Sequence, residues 1–505
     1  MRLTPWKILV LVVVCLVIGA VLGILVLYIQ MARGRADLEP WHRMKPEAEF
    51  TARRVEEIKD LEAYAALEDR LFEDIAETLS REVQEWPVLS RLDPTSPSNP
   101  GSFPRNWNRT FRLEPDRVVA GALLLHGLSD SPYSLHAVAE HLRSRGVLCV
   151  GLRLPGHGGV PGGLTSVRME DWRAAVRLAA QDLRRRLDSS QPLILVGYSN
   201  GAALALDYTL DSLIDEDLPA PQRLVFFSPA FAVSRIAAFA RWQRLVSILP
   251  GLEKLAWTDI LPEYDPFKFN SFPLRAGEEI YRLTTDLERK LERLERDGRL
   301  ANLPPALSFQ SVVDATVPAK ASLPRLYRRL KANGSRLVLF DVDREARSAA
   351  FLTREANRVL SAAEKGGPWS FDIAIVTNHS PESDQVELRT IRAGSPAAEF
   401  EVDDLGMVWP KGVYSLSHVA LPFPPNDPVY GVGPVWRDPF PLGRIDPRGE
   451  KGVLVVPLSL LMRLRYNPFF EIIPPMIDQF LGFERVNSSD LTADSSASCK
   501  KPQED

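Results

Sequence analysis

Cysteine is scarce in this chain. Three among 505 residues are too few for a disulfide framework, and no Cys-x-x-Cys pair or Cys/His spacing suited to zinc occurs. Cys15 lies in an apolar N-terminal run, Cys149 in an expected buried strand and Cys499 in a polar tail. A lack of disulfides does not by itself fix the redox compartment. Histidine is also scarce, at seven, so the candidates for a catalytic base are few. Charge bias is missing: 61 Lys and Arg stand against 65 Asp and Glu, for a net charge of −4. That balance argues against nucleic acid or an anionic surface as the main partner. The chain has no internal repeat, and nothing in it asks for a metal or an organic cofactor.

What the chain does have is one long apolar run. Residues 8–29 form an unbroken stretch of 22 positions, long enough to span a bilayer. Arg2 and Lys7 precede it; Arg33, Arg35, Arg43 and Lys45 follow, mixed with Asp37 and Glu39. A cleaved signal peptide has a shorter core and a small-residue cleavage site. Gly19, Ala20 and Gly23 offer such a site, but the run continues past them. Residues 1–32 are therefore read as an uncleaved single-pass anchor in preference to a cleaved signal. The basic residues after the run pull that side toward the cytoplasm, whereas a short basic N-terminus before a first apolar segment stays inside. The second tendency is preferred, which sets the chain after the anchor on the extracytoplasmic side.

Beyond the anchor, residues 47–85 carry Val55, Ile58, Leu61, Leu67, Leu71, Ile75 and Leu79 at helical spacing with charges between them. This predicts a helix, either a stalk or one packed on the domain. Residues 93–107, rich in Pro, Ser and Asn, read as a linker or ordered loop, so 33–107 is taken as a juxtamembrane helix and linker. From residue 108 strands and helices alternate. Strands are expected at 109–113, 118–125, 147–152, 192–196 and 223–227, and helices at 133–145, 169–187 and from 200. That is the pattern of a mostly parallel sheet covered by helices on both faces, an α/β fold. Residues 229–305 interrupt it with aromatics (Phe231, Phe239, Trp242, Trp257, Tyr264, Phe267, Phe269, Phe272) and a charged helix around 278–299. Alternation resumes with strands at 306–313 and 336–342, a helix near 322–331 and two further strands within 370–391. The domain is bounded at 108–486, and the polar tail 487–505 is expected to be disordered.

The chemistry centres on Gly197-Tyr198-Ser199-Asn200-Gly201, a G-x-S-x-G match between an apolar strand and a helical segment. A serine on a sharp strand-to-helix turn exposes its hydroxyl above the sheet, and small neighbours tolerate the turn. The helix N-terminus behind it favours a developing oxyanion. His126-Gly127 follows an expected strand; its imidazole is read as a loop-fixing group, and the loop's value lies in the backbone N–H of Leu128, paired with that of Asn200 as oxyanion donors. A nucleophilic serine needs a base and an acid that orients it. His42 lies beside the membrane, His136 and His141 in a helix, and His126 and His157 in glycine-rich loops. Of the two histidines after Ser199, His418 sits on a loop past an expected strand end and is preferred; His379 is the runner-up. For the acid, Asp314 follows a strand and precedes a turn, in the order Ser, Asp, His; Asp341 and Asp343 are the alternatives.

Residues 118–428 resemble α/β-hydrolases of the monoacylglycerol-lipase and serine-aminopeptidase-like branch. The resemblance is carried by His126-Gly127-Leu128-Ser129-Asp130-Ser131, Pro155-Gly156-His157-Gly158, 197–201, and Gln310-Ser311-Val312-Val313-Asp314 followed by Val317-Pro318. It implies a Ser199–Asp314–His418 triad, an oxyanion hole at Leu128 and Asn200, a cap matching 229–305, and acyl esters as the commonest substrates. One departure stands out. The branch keeps its histidine a few tens of residues after the acid, and here the separation is 104. An insertion at 345–405, with extra strands around 369–402, accounts for the gap if it leaves the sheet and returns. The expected function is thus a membrane-anchored serine hydrolase acting on small-molecule or lipid esters. A peptidase or acyltransferase on the same fold, and an inactive membrane-tethered binding protein, are the rival readings.

Overall fold

The computed structural model describes residues 4–232, 246–317, 325–346, 352–353, 355–396, 399–432, 442–444 and 453–483. The polar tail, the first part of the expected 322–331 helix, and Phe239 and Trp242 of the cap lie outside the described residues.

Among the described residues, twelve strands and their connections position the site. They are β1 (Phe111–Leu113), β2 (Ala120–Leu125), β3 (Val147–Leu152), β4 (Leu193–Tyr198), β5 (Arg223–Phe227), β6 (Trp257–Asp259), β7 (Phe272–Pro273), β8 (Ala306–Ser311), β9 (Arg336–Phe340), β10 (Asp372–Asn378), β11 (Gln385–Ile391) and β12 (Glu401–Val408). All but β6 and β7 join one sheet in the order β1-β3-β2-β4-β5-β8-β9-β10-β11-β12. From β3 through β10 the neighbours run parallel, and β1, β11 and β12 are antiparallel additions at the two edges. Strands β2, β3, β4 and β8 are buried at every position. Their near-continuous apolar runs follow from helices covering both faces. Two apolar clusters, one on each side of the sheet, form the core.

The segment after the apolar helix Pro5–Arg33 is built into the domain. The helix Leu61–Glu82 starts where the Asp60 carboxylate accepts the Ala63 N–H at 2.7 Å. It buries Leu61, Leu67, Leu71, Ile75 and Leu79 of the predicted stripe and Tyr64 besides, but it begins 14 residues later than the expected 47, with Val55 exposed ahead of it, and it packs on the domain instead of standing off as a stalk. The fixing point is Arg153, fully buried just after β3. Its guanidinium donates to Glu49 (2.9 and 3.0 Å) and to Glu68 (3.0 Å), and its carbonyl accepts from the Tyr64 hydroxyl at 2.8 Å. The 93–107 region is held by an ordered loop before it: the buried Arg91 donates to the carbonyls of Gly158, Gly159 and Pro266.

The strands beyond β9 do not leave the sheet. The helix Glu355–Lys365 carries the chain across to β10, which pairs parallel with β9; β11 and β12 then extend the same edge. β12 was not anticipated. Its sequence, EVDDLGMV, has little apolar alternation and is exposed along most of its length. Asp403 and Asp404 and a register shift opposite Val386 and Glu387 suit a sheet edge that must not pair further. The chain returns through an antiparallel bridge between Val342 and Ser415.

Breaking a buried ion pair by removing one partner strands the other charge, at a cost of about 3–5 kcal/mol. Arg153→Ala strands two carboxylates and is expected to lower stability by at least that much, read as a shifted urea midpoint of the detergent-solubilised chain. An unshifted midpoint would show that the N-terminal segment does not depend on this contact.

Candidate active site

Ser199 closes β4 and opens the helix Asn200–Ser212 with φ +53° and ψ −114°, backbone angles an L residue rarely adopts. The surroundings hold it there. Its N–H donates to the Phe227 carbonyl at 2.9 Å, and its own carbonyl accepts from Ala202, Ala203 and Ala230. The flanking glycines are required by space: a Cβ on Gly201 would stand 1.9 Å from the Leu125 carbonyl oxygen, and one on Gly197 would stand 2.4 Å from the Ala202 Cα.

A second loop faces the turn. After β2 the chain passes His126 and Gly127 to Ser129, which has φ +69°. His126 is fully buried. Its Nδ1 lies 2.9 Å from the Gly127 carbonyl and its Nε2 accepts from the Leu154 N–H at 3.0 Å, so it is a neutral, loop-fixing group. Burial, with His157 beside it, holds its pKa well below the usual range. Among the described residues, the backbone N–H groups of Leu128 and Asn200 donate to no protein acceptor. Both residues line the cavity that contains Ser199. The cap grips this loop through Lys268, whose ammonium reaches Asp130 at 2.8 Å, and through the Phe269 N–H, which donates to the Ser129 carbonyl at 2.8 Å.

His418 and Asp314 meet. The His418 Nδ1 donates to Asp314 Oδ2 at 2.7 Å, while Asp314 Oδ1 accepts the N–H groups of Thr316 (2.9 Å) and Val317 (2.8 Å). Three hydrogen bonds, two of them from fixed backbone, leave the carboxylate one orientation. The bond to Nδ1 fixes the tautomer and leaves Nε2 as an acceptor. The His418 ring lies against Tyr198, with centroids 5.4 Å apart, and lines the same cavity as Ser199. Among the described residues the Ser199 hydroxyl and the imidazole are not hydrogen-bonded to each other.

The other candidates are committed elsewhere. The His379 side chain is mostly exposed beside β11 and binds Glu387 at 2.7 Å. Asp341 takes a bidentate contact from Arg344 (2.6 and 2.8 Å) and the Thr377 hydroxyl. Asp343 accepts the Glu345 N–H. His141 binds Asp478, and His136 stacks on Tyr133. His42 is buried against Trp257, with Nε2 2.9 Å from the Ser271 hydroxyl; burial lowers its pKa to about 4.

The cavity holds about 770 Å³. Its apolar wall includes Phe269, Phe272, Leu274, Ile280, Val419 and Phe423, so the aromatic insertion does supply lining. Among the lining residues not foreseen are Tyr28 from the apolar N-terminal helix, and Arg463 and Arg465 from the C-terminal region. Tyr28 was hidden inside a stretch read only for its length, and the two arginines carry no local motif.

The family model for the Alpha/beta hydrolase family matches residues 122–385. The chain belongs to this family. The matched region runs from β2 to the start of β11, so it includes Ser199 and Asp314 but stops short of His418. Solved structures align with the chain at low identity. One is from work on LipS and LipT, two metagenome-derived lipolytic enzymes, at 20% identity, covering 47% of this chain and 88% of that one with a TM-score of 0.37. Another is the Paleococcus ferrophilus monoacylglycerol lipase, at 20% identity, 46% and 88% coverage and a TM-score of 0.35. A soluble variant of monoglyceride lipase from Saccharomyces cerevisiae aligns at 13% identity, with 46% and 81% coverage and a TM-score of 0.34. No curated protein matches the chain.

Because a Cβ at 201 would overlap a strand carbonyl, Gly201→Ala is expected to destabilise the fold by about 1–3 kcal/mol or more. Thermal melting of the purified variant measures this; a wild-type melting curve would mean the turn has room that its geometry denies.

Proposed function

We propose that this chain is a membrane-anchored serine hydrolase that cleaves carboxylic esters bearing acyl or other lipid-like chains. The observation that carries the reading is the Asp314–His418 hydrogen bond across 104 residues, which orients an imidazole in the cavity that also holds Ser199 on its strained turn. The sequence likeness to monoacylglycerol lipases supports the same substrate class, as does the apolar wall.

In this reading the His418 Nε2 takes the proton from Ser199 Oγ as the oxygen attacks the ester carbonyl carbon. The carbonyl oxygen becomes an oxyanion, held by the Leu128 and Asn200 N–H groups; such donors contribute about 3–4 kcal/mol each. Asp314 keeps the ring in its tautomer and stabilises the imidazolium. The protonated ring then gives its proton to the departing alkoxide, and the alcohol leaves. Water attacks the acyl-enzyme, passing a proton to His418, and the acid departs with Ser199 restored. These steps call on the chain's own groups alone.

The anchor reading rests on the helix Pro5–Arg33, whose side chains from Trp6 to Leu27 are largely exposed and almost wholly apolar. The catalytic domain is placed on the extracytoplasmic side by the charge argument alone.

Ser199→Ala and His418→Ala should each reduce turnover of a short p-nitrophenyl ester by about 10³-fold or more. His379→Ala should leave it unchanged. Turnover that survives Ser199→Ala, or falls with His379→Ala and not with His418→Ala, would refute the assignment.

A further inference from the structure

We infer that the anchor helix is a wall of the catalytic cavity and that the ester reaches Ser199 sideways from the lipid leaflet, not from water. The inference rests on the hydrolase and anchor readings above and adds the route and physical state of the substrate.

The cavity that holds Ser199 and His418 is also lined by Tyr28, which belongs to the helix Pro5–Arg33. This helix is not a loose tether. Leu25, Tyr28, Ile29 and Ala32 pack on Leu252 and Leu255 of the cap. Beyond the helix, Arg35 donates to the carbonyls of Trp257 and Lys254. The Lys254 ammonium answers with bonds to the Arg35 carbonyl (3.1 Å) and the Asp37 carboxylate (2.7 Å). Thr258 and Asp259, next along the chain, line the cavity as well. The end of the helix, the cap and the cavity wall are thus one packed unit.

The height of that unit follows from the sequence. The helix is exposed over its apolar length and becomes packed only at residues 25–32, its last two turns. The apolar run ends at Ile29 and the first charge is Arg33. A span of this length puts those turns at the edge of the hydrocarbon, the level where Tyr is enriched. Apolar side chains are exposed beside the same elements. Ile248 is 72% and Leu249 49% exposed, a few residues before Leu252. Val453, Val455 and Met462 are 76%, 73% and 65% exposed on the segment that gives Leu460 and Arg463 to the cavity. Scattered exposed apolar residues are ordinary; these flank an apolar cavity walled by a helix that crosses the bilayer, and the leaflet is the occupant that continuity with the helix selects. A long-chain ester is held in lipid by every methylene it carries, and a leaflet-level opening spares it the passage through water.

The test uses the full chain reconstituted in phosphatidylcholine vesicles, with p-nitrophenyl palmitate dissolved in the bilayer and p-nitrophenyl acetate in the water. Ile248→Asp combined with Leu249→Asp should cut palmitate turnover at least tenfold and leave acetate turnover within twofold. Unchanged palmitate turnover would overturn the inference. An equal loss on both esters is resolved by a nitrobenzoxadiazole probe on Ile248→Cys, with Cys15 and Cys499 replaced by serine. Quenching by nitroxide lipids supports the leaflet contact, and absence of quenching overturns it. Failure of the underlying readings looks different: acetate turnover that survives Ser199→Ala removes the nucleophile, and release of the chain by alkaline carbonate removes the anchor.

Discussion

The hydrogen bond between His418 and Asp314 is the contact on which the rest of the site depends. It joins residues 104 apart, and the fold must bring the chain back to β8 after four more strands. The Val342–Ser415 bridge does this. It sets the returning chain against the residue two past β9, so that His418 follows three positions after the bridge. The 72 residues between the bridged pair could be cut out with little change to that geometry, leaving His418 only 32 positions after Asp314. The added strands are therefore a detour from the end of β9, taken up as an extension of the sheet edge. A detached subdomain would have had to bury its own faces; an extension borrows the pairing of β9.

A second constraint is the strained turn at Ser199. Its angles are held by backbone hydrogen bonds to two neighbouring segments and by glycines that leave no room for a side chain. The helix behind it brings the unbonded Asn200 N–H to the cavity wall, and the loop at Leu128 adds one more. Both features come from strand ends meeting at one edge of a parallel sheet, where such folds place their sites. The geometry of the site is thereby inherited from the topology, and residues between Thr258 and Ile280 supply much of the cavity wall.

The parallel sheet was legible because its strands are continuous apolar runs separated by amphipathic helices. Ser199, Leu128 and Asn200 were legible because the turn that shapes them is encoded within a few residues. Asp314 and His418 could be named by chain order, but their pairing came only as what the resemblance implied, since no local pattern reports a contact over 104 residues. The strand Glu401–Val408 escaped because an exposed edge carries charge where a core strand carries Val and Ile. The packing of 38–60 on the domain escaped for another reason: Trp41, Phe50 and Glu49 are single residues at irregular spacing, and their partners Trp86, Tyr64 and Arg153 lie far along the chain or in another element. Tyr28 is the extreme case, an aromatic within an apolar run, where only the fold reveals that it faces a cavity.

The central claim is that Ser199 is a nucleophile activated by a base whose position depends on that long-range bond. Its most direct measurement is stoichiometric labelling of the full chain with a fluorophosphonate, read by peptide mass. The account predicts one phosphonyl group per chain, on Ser199, with the rate of labelling strongly reduced by His418→Ala and by Asp314→Asn. No adduct on Ser199, or labelling indifferent to both substitutions, would contradict it.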